Sequence, residues 1–312
     1  MGELFACRHL VKRFGAIRAL DKIDLTVQSG STTGLIGPNG AGKTTLFSIL
    51  CGHLRPTSGT VTVLGQPTDA TAVKGRISLL PQDASLFKGT SVTSQLILFA
   101  RLQGFNSTQA RLEAKRVLDI LEVSDLGRHP PEALSFGQRK RVMLAQALIG
   151  HPELILLDEP TSGLDPVAAT EVRRLIKQLS RDRDFIISSH NLDEIEDICK
   201  AVIILNKGKV KANCLIADFT DQDNYLTITL DRPPPPDITR LFQDMQDIVR
   251  IDTDIATREK ISIHFQSDYP DQLQIRILER LQRENLGVLD LRRGKALADE
   301  IINLVKRERS QN

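Results

Sequence analysis

Residues 37–45 form a glycine-rich stretch ending in a lysine and two threonines, a combination suited to holding phosphate. Glycines let successive backbone N–H groups face one phosphate, Lys43 can neutralise its outer oxygens, and the Thr44 hydroxyl is a ligand for Mg²⁺. A chance match in a chain of this length is on the order of one in a hundred. The stretch therefore predicts a nucleotide phosphate site formed by Gly37, Pro38, Asn39, Gly40, Ala41, Gly42, Lys43, Thr44 and Thr45.

Two adjacent carboxylates, Asp158 and Glu159, directly follow the apolar run 154–157. Such a run is typical of a strand buried on both faces, and open α/β sheets bind ligands at the carboxyl ends of their strands. Asp158 is expected to hold Mg²⁺, directly or through water, and Glu159 to polarise an attacking water as general base. Taken alone, the pair could equally end a strand in a solvated turn. The phosphate loop upstream favours the chemical interpretation.

The elements that must position these groups are strands alternating with helices, which predicts an α/β fold around a largely parallel sheet. The phosphate loop is expected between a strand at 33–36 and a helix from 43 to about 52. The other predicted strands of this part are 154–157, 185–188 and 201–205, and the other predicted helices are 107–122, 137–149 and 166–180.

Composition changes near residue 217. Residues 1–217 carry 27 basic and 21 acidic side chains, whereas residues 218–312 carry 14 and 18. The polar stretch 218–224 is predicted to be a linker between a first domain, 1–217, and an accessory domain, 225–312. The accessory domain is predicted to follow the β-α-β-β-α-β order of a small α+β ferredoxin-like domain. Its predicted elements are 225–230, 237–245, 248–255, 260–265, 270–284 and 286–291, followed by a last helix at 295–306.

Composition also argues against several classes of protein. With 41 basic and 39 acidic residues, the net charge of +2 is unlike that of a dedicated nucleic-acid binder, so no nucleic-acid partner is expected. The longest apolar runs fall far short of the ~20 residues that span a bilayer. The four cysteines lack paired spacing, which predicts reduced, mostly packed thiols in a cytosolic protein rather than a zinc site or disulfides.

A third motif, Leu134-Ser135-Phe136-Gly137-Gln138, resembles the signature of ATP-binding cassette (ABC) proteins and lies upstream of the carboxylate strand, as in that family. The order of motifs matches over about residues 4–215. The resemblance implies that Ser135, Gly137 and Gln138 contact the nucleotide of a second cassette. It also implies four further roles: Phe14 stacks on adenine, Gln82 is a catalytic residue and Mg²⁺ ligand, Asp165 belongs to the D-loop, and His190 is the switch histidine.

Each of these residues has a plain structural alternative. Phe14 could be a core ring, Gln82 a surface turn residue and His190 a packed side chain. Asp165 precedes a proline and would serve well as a helix N-cap. Phe136 replaces the first of the family's two usual glycines and would be penalised if that position required a positive φ. The basic trio 139–141 is expected on a solvated or partner-facing surface.

The resemblance is closest to single-cassette subunits of ABC-2-type exporters. It implies a P-loop NTPase-like cassette, with a mostly parallel core sheet and a helical subdomain, that hydrolyses ATP with Mg²⁺. It further implies a second cassette, most simply in a homodimer, and a separate ABC-2-type integral-membrane permease received by residues 83–104. The chain would be cytoplasmic, peripheral on the inner face of the cell membrane. The alternative is a soluble ABC ATPase of translation or DNA repair, although the heptad-rich insertion common there is not apparent.

Overall fold

The computed structural model describes residues 2–220, 224–253 and 259–294. The chain divides into two compact units, Met1–Cys214 and Leu215–Asn312. Within the described ranges, no helix combines the length and apolar character needed to traverse a bilayer. The predicted helix at 295–306 lies outside the described residues.

Two sheets are built from the first ten strands. The strands are β1 (Glu3–Phe14), β2 (Ile17–Gln28), β3 (Thr33–Ile36), β4 (Ser58–Val63), β5 (Gln66–Pro67), β6 (Ile77–Leu80), β7 (Leu154–Asp158), β8 (Asp184–Ser189), β9 (Ala201–Asn206) and β10 (Lys209–Leu215). The larger sheet has the order β10-β9-β3-β8-β7-β6, and its pairings from β9 to β6 are parallel. The predicted parallel sheet is therefore confirmed. A second, antiparallel sheet, β2-β1-β4-β5, was not predicted.

Six helices accompany these sheets. They are α1 (Lys43–Leu50), α2 (Val92–Leu102), α3 (Ser107–Ile120), α4 (Phe136–Ala147), α5 (Pro166–Leu179) and α6 (Leu192–Ile198). The four helices predicted in this part are confirmed, with ends within two residues of the prediction. Between β6 and β7 in the chain, α2, α3 and α4 pack on one another as a helical layer.

A single apolar core fixes the helix that follows the phosphate loop. Leu46 and Phe47 of α1 belong to one cluster with Phe5 of the antiparallel sheet and with Leu35 and Leu156 of the parallel sheet. All five residues of β7 are buried, as expected for a strand covered on both faces. The loop between β3 and α1 is therefore anchored at both ends by buried elements.

The second unit contains a four-stranded sheet of its own. Its elements are α7 (Ala217–Thr220), β11 (Tyr225–Leu230), β12 (Ile248–Thr253), β13 (Lys260–Phe265), α8 (Pro270–Arg283) and β14 (Val288–Arg293). The sheet order is β12-β13-β11-β14, with every neighbouring pair antiparallel. The predicted strands and the predicted second helix are present, and the last strand begins and ends two residues later than predicted. Residues 254 and 255, the end of the strand predicted at 248–255, lie outside the described residues. Residues 218–220 of the predicted linker belong to the short helix α7, and residues 221–223 lie outside the described residues.

The α-helix predicted at 237–245 is wrong: the segment forms a 3-10 helix, Ile238–Phe242. Its amides bond three residues back, as in the bonds from Ile238 to the Pro235 carbonyl and from Arg240 to the Asp237 carbonyl. Asp237 makes no side-chain capping bond. Without a cap, the short apolar period did not suffice to nucleate an α-helical turn.

Candidate functional site

A cavity of about 360 Å³ lies at the carboxyl ends of β3, β6 and β7. Its lining comes from the loop before α1, from residues at the ends of β6 and β7, and from two positions of the antiparallel sheet. The lining residues are Phe14, Ala19, Asn39, Gly40, Ala41, Gly42, Lys43, Thr44, Thr45, Gln82, Asp158 and Glu159. Folding thus brings most of the sequence-predicted site residues to one place.

The loop before α1 presents the features of an anion site. Gly42, the N-cap of α1, has φ 109° and offers no side-chain cap, and the first turn contains no acidic residue. The first amides of α1 are therefore available to a negatively charged group. Gly37 cannot carry a side chain, because a Cβ would lie 2.1 Å from the Leu205 carbonyl oxygen. Lys43 lines the cavity while its Nζ donates to the Gly37 carbonyl (2.7 Å) and to that of Pro38 (3.4 Å).

Thr44 and Asp158 place two oxygen ligands side by side. The Thr44 hydroxyl donates to Asp158 Oδ2 at 2.8 Å, and the other Asp158 oxygen accepts a hydrogen bond from Ser188. Hydroxyl and carboxylate oxygens are the donors that Mg²⁺ prefers. The described residues include no group of three or more His, Cys, Asp or Glu side chains able to hold a metal. Mg²⁺ usually takes one or two protein carboxylates and completes its shell with phosphate and water.

Glu159 is a buried carboxylate held in an uncommon backbone conformation. Its φ is 50° and it is 7% exposed. A positive φ in a residue with a side chain costs energy and persists where the surrounding structure fixes it. The backbone is fixed because the Glu159 amide donates to the carbonyl and to the hydroxyl of Ser188, each at 3.1 Å. Its Oε2 accepts from Gln82 Nε2 at 3.3 Å and lies 3.2 Å from His190 Nδ1.

His190 follows β8 and is exposed over 66% of its side chain, so the packed alternative is excluded. The loop around it is fixed by Glu194, which is 2% exposed. One oxygen of Glu194 accepts from Ser189 and the other from Thr161, each at 2.6 Å. Glu194 therefore ties the loop after β8 to the loop after β7, on which Glu159 lies.

Phe14 lies at the cavity and is 49% exposed, so it is not a core ring. The Lys12 ammonium lies 5.1 Å from its ring centroid. An exposed aromatic face at the edge of a polar cavity is suited to stacking on a flat ring.

Seven sequence-predicted residues lie outside the cavity lining: Gly37, Pro38 and His190, described above, and Ser135, Gly137, Gln138 and Asp165. Ser135 and Gln138 form a capping box at the start of α4, with bonds of 3.2 and 2.8 Å. Asp165 caps α5 by accepting from the amides of residues 167 and 168, so its structural role is confirmed. Gly137 lies in the first turn of α4, where a Cβ would be 3.0 Å from that of Ala168. Phe136 begins α4 without a positive φ, so its backbone does not require glycine.

Ser188 and Lys140 both act on the carboxylate pair and were not predicted to do so. Ser188 is paired with Asp158 in the parallel register of β7 and β8, and it bonds both carboxylate residues. The one feature of the sequence that could have indicated Ser188 is its position at the end of a predicted strand. Lys140 was expected on an exposed surface with the rest of the basic trio, but it is buried. Burial lowers the pKa of Lys140, while the negative charge of Glu159 acts against that shift.

A parallel sheet carrying a glycine-rich phosphate loop, a strand-end carboxylate pair and a helical layer defines an ATP-binding cassette. The family described as ABC transporter matches residues 20–162. The daunorubicin/doxorubicin resistance ATP-binding protein DrrA of Streptomyces peucetius is 30% identical over 306 residues, covering 94% of this chain and 89% of that protein. The lipopolysaccharide export system ATP-binding protein LptB of Haemophilus influenzae is 33% identical over 216 residues, covering 67% of this chain and 90% of that protein.

Solved structures agree with this assignment. The structure of cbiO1 from Clostridium perfringens, part of the ABC transporter complex cbiONQ, superposes with a TM-score of 0.64 and 28% identity. That match covers 70% of this chain and 90% of cbiO1. The chain therefore belongs to the family of ABC transporter ATP-binding proteins, which are ATPases.

Proposed function

We propose that this ATPase binds Mg-ATP in the cavity before α1 and drives export through a separate integral-membrane permease. The observation that carries the proposal is the convergence of Gln82 and His190 on the carboxylate of Glu159, beside the phosphate loop. Glu159 would polarise the attacking water as general base, and His190 would hold that carboxylate close to the terminal phosphate.

The other lining residues would position the nucleotide. Phe14 would stack on adenine, and Lys43 with the amides at the start of α1 would bind the phosphates. Thr44 and Asp158, with Gln82, would hold Mg²⁺, which when bound would neutralise charge on the phosphate oxygens.

A second cassette would complete the site. Ser135, Gly137 and Gln138 begin α4, whose N-terminus favours negative charge, yet they lie outside the cavity of their own chain. In a two-fold dimer each chain would offer this segment and Asp165 to the nucleotide of the other, so ATP would join the two copies.

The permease would dock beside α2. Phe87, Leu98 and Leu102 are exposed there by 53%, 45% and 74%. Phe87 stacks on Phe99, with centroids 5.8 Å apart, and the buried Gln95 amide fixes its backbone with bonds of 2.7 and 3.0 Å. A firmly held apolar surface suits an amphipathic helix. Export through an ABC-2-type permease is supported by the match along both units to a protein named for drug resistance. The chain would then lie on the inner face of the cell membrane.

Co-purification from detergent-solubilised membranes tests this function. The wild-type chain should hydrolyse ATP and should co-purify with a subunit that has membrane-spanning helices. Phe87→Asp should lose that subunit and keep its own ATPase rate, whereas Leu112→Asp, a control at a 65% exposed position of α3, should keep both. Recovery of ribosomes or DNA instead would support the soluble alternative.

A further inference from the structure

The ring of Phe136 rests on a second loop of the same chain. A Cβ atom at Gly163 would lie 3.2 Å from Cε1 and 3.5 Å from Cζ of this ring. The Arg139 guanidinium lies 5.8 Å from the ring centroid, and Arg139 also donates to the Leu134 carbonyl at 3.1 Å. The ring is thus in contact with its own helix and with Gly163, while 45% of the residue stays exposed.

Gly163 belongs to a run of turns that starts at Glu159. The Ser162 amide donates to the Glu159 carbonyl at 3.2 Å, and the Leu164 amide donates to the Thr161 carbonyl at 3.1 Å. The run ends where Asp165 caps α5. Because the two turns share residues 161 and 162, a displacement at Gly163 would be passed to the backbone of Glu159.

The first turns of α4 and α5 pack closely, with no room for an additional side chain between them. A Cβ at Gly137 would lie 3.0 Å from the Cβ of Ala168, a separation tighter than ordinary contact. Close-packed elements move together rather than independently. A shift of the segment 135–138 would therefore carry with it the Phe136 ring and the neighbouring loop at Gly163.

We propose that Phe136 is a positioning residue that couples docking of the segment 135–138 on the second cassette's nucleotide to the placement of Glu159 in its own chain. The inference rests on the proposed two-cassette function. The glycine that usually occupies this position in the family has no ring to make the contact, so the coupling is a property of this chain.

Steady-state ATPase kinetics of the full chain test the coupling. Phe136→Ala should lower kcat about tenfold, since a misplacement of about 1 Å at a reacting group costs up to a hundredfold. The Kd for a fluorescent ATP analogue should stay within about twofold, because the phosphate loop is untouched. Phe136→Tyr keeps the ring and should restore kcat. Leu112→Ala, on α3, is the matched control and should leave kcat unchanged.

A double-mutant cycle isolates the contact with Gly163. Gly163→Ala should lower kcat more in the wild-type background, where the new methyl group meets the ring, than in the Phe136→Ala background. Equal effects in both backgrounds would overturn the proposal. So would an unchanged kcat for Phe136→Ala, or a fall in kcat matched by an equal loss of analogue affinity. A wild-type chain without ATPase activity would instead refute the proposed function.

Discussion

The Nδ1 atom of His190 lies 3.2 Å from Oε2 of Glu159, although the two residues belong to loops that follow different strands. Gln82, from a third loop, donates to the same oxygen at 3.3 Å. Since β6, β7 and β8 are parallel neighbours, their carboxyl ends meet at one edge of the sheet. A buried carboxylate that accepts a hydrogen bond from an amide and lies against an imidazole is well placed to hold a water beside a phosphate.

Replacing Glu159 by glutamine should slow turnover by at least a hundredfold, because an amide cannot accept the proton of the attacking water. ATP affinity should change little, since the phosphate loop is preserved. Phosphate release and nucleotide binding measure the two quantities. Glu171→Gln, at a half-buried position of α5 outside the cavity lining, is the control and should behave as wild type. Unchanged turnover of Glu159→Gln would remove its role as general base.

Replacing Lys43 by alanine should weaken ATP binding about 10- to 100-fold, as expected for the loss of one charge-assisted contact. The loop also loses the bonds from Lys43 to the carbonyls of Gly37 and Pro38. Calorimetric titration with ATP measures the effect. The exposed Lys88→Ala should match wild type. Equal affinities for both variants would contradict the assignment of the phosphate site.

Replacing His190 by alanine should lower kcat with little change in KM, since the His190 side chain contacts Glu159 rather than the phosphate loop. The measurement is ATP turnover over a range of ATP concentrations. His53→Ala, at an exposed site remote in sequence, is the control. If His190→Ala turned over at the wild-type rate, His190 would not be the switch residue.

The strands β7, β8 and β9 could be predicted because their apolar runs are continuous, and the helices α3, α4 and α5 because their period is regular. The elements β6, β10, α2 and α6 were not predicted. The antiparallel sheet could not be predicted, since β1 mixes buried positions with register shifts against β2. At the site, motifs indicated Lys43 and Glu159. The role of Ser188 depends instead on strand register, which the separate motifs do not encode.

Lys140 offers a test of stability. Burial lowers its pKa below the ordinary 10.5, so the folded chain binds this proton less readily than the unfolded chain. The contribution of Lys140 to the free energy of unfolding is therefore greatest above pH 10.5 and is lost as the pH falls through the pKa of the folded chain. At neutral pH the buried charge destabilises the folded chain. Lys140→Met, of similar length, should raise the unfolding midpoint by about 2 °C. The substitution Lys115→Met, at an exposed position of α3, should leave the unfolding midpoint unchanged. A lower midpoint for Lys140→Met would show that the buried charge does not destabilise the folded chain.

Deleting residues 225–312 should leave a folded cassette that binds ATP, because the second unit has an apolar core of its own. Circular dichroism and ATP titration of the truncated chain check this. Aggregation of the truncated chain would show that the proposed boundary is misplaced.

The most direct test of the account is the mass of the Glu159→Gln chain in solution with Mg-ATP and with Mg-ADP, measured by sedimentation. One chain has a mass of 34.7 kDa. If ATP joins two cassettes, the particle should have twice that mass with ATP and a single chain's mass with ADP. A particle that remains a single chain at saturating ATP, even with the membrane subunit supplied, would contradict the two-cassette mechanism.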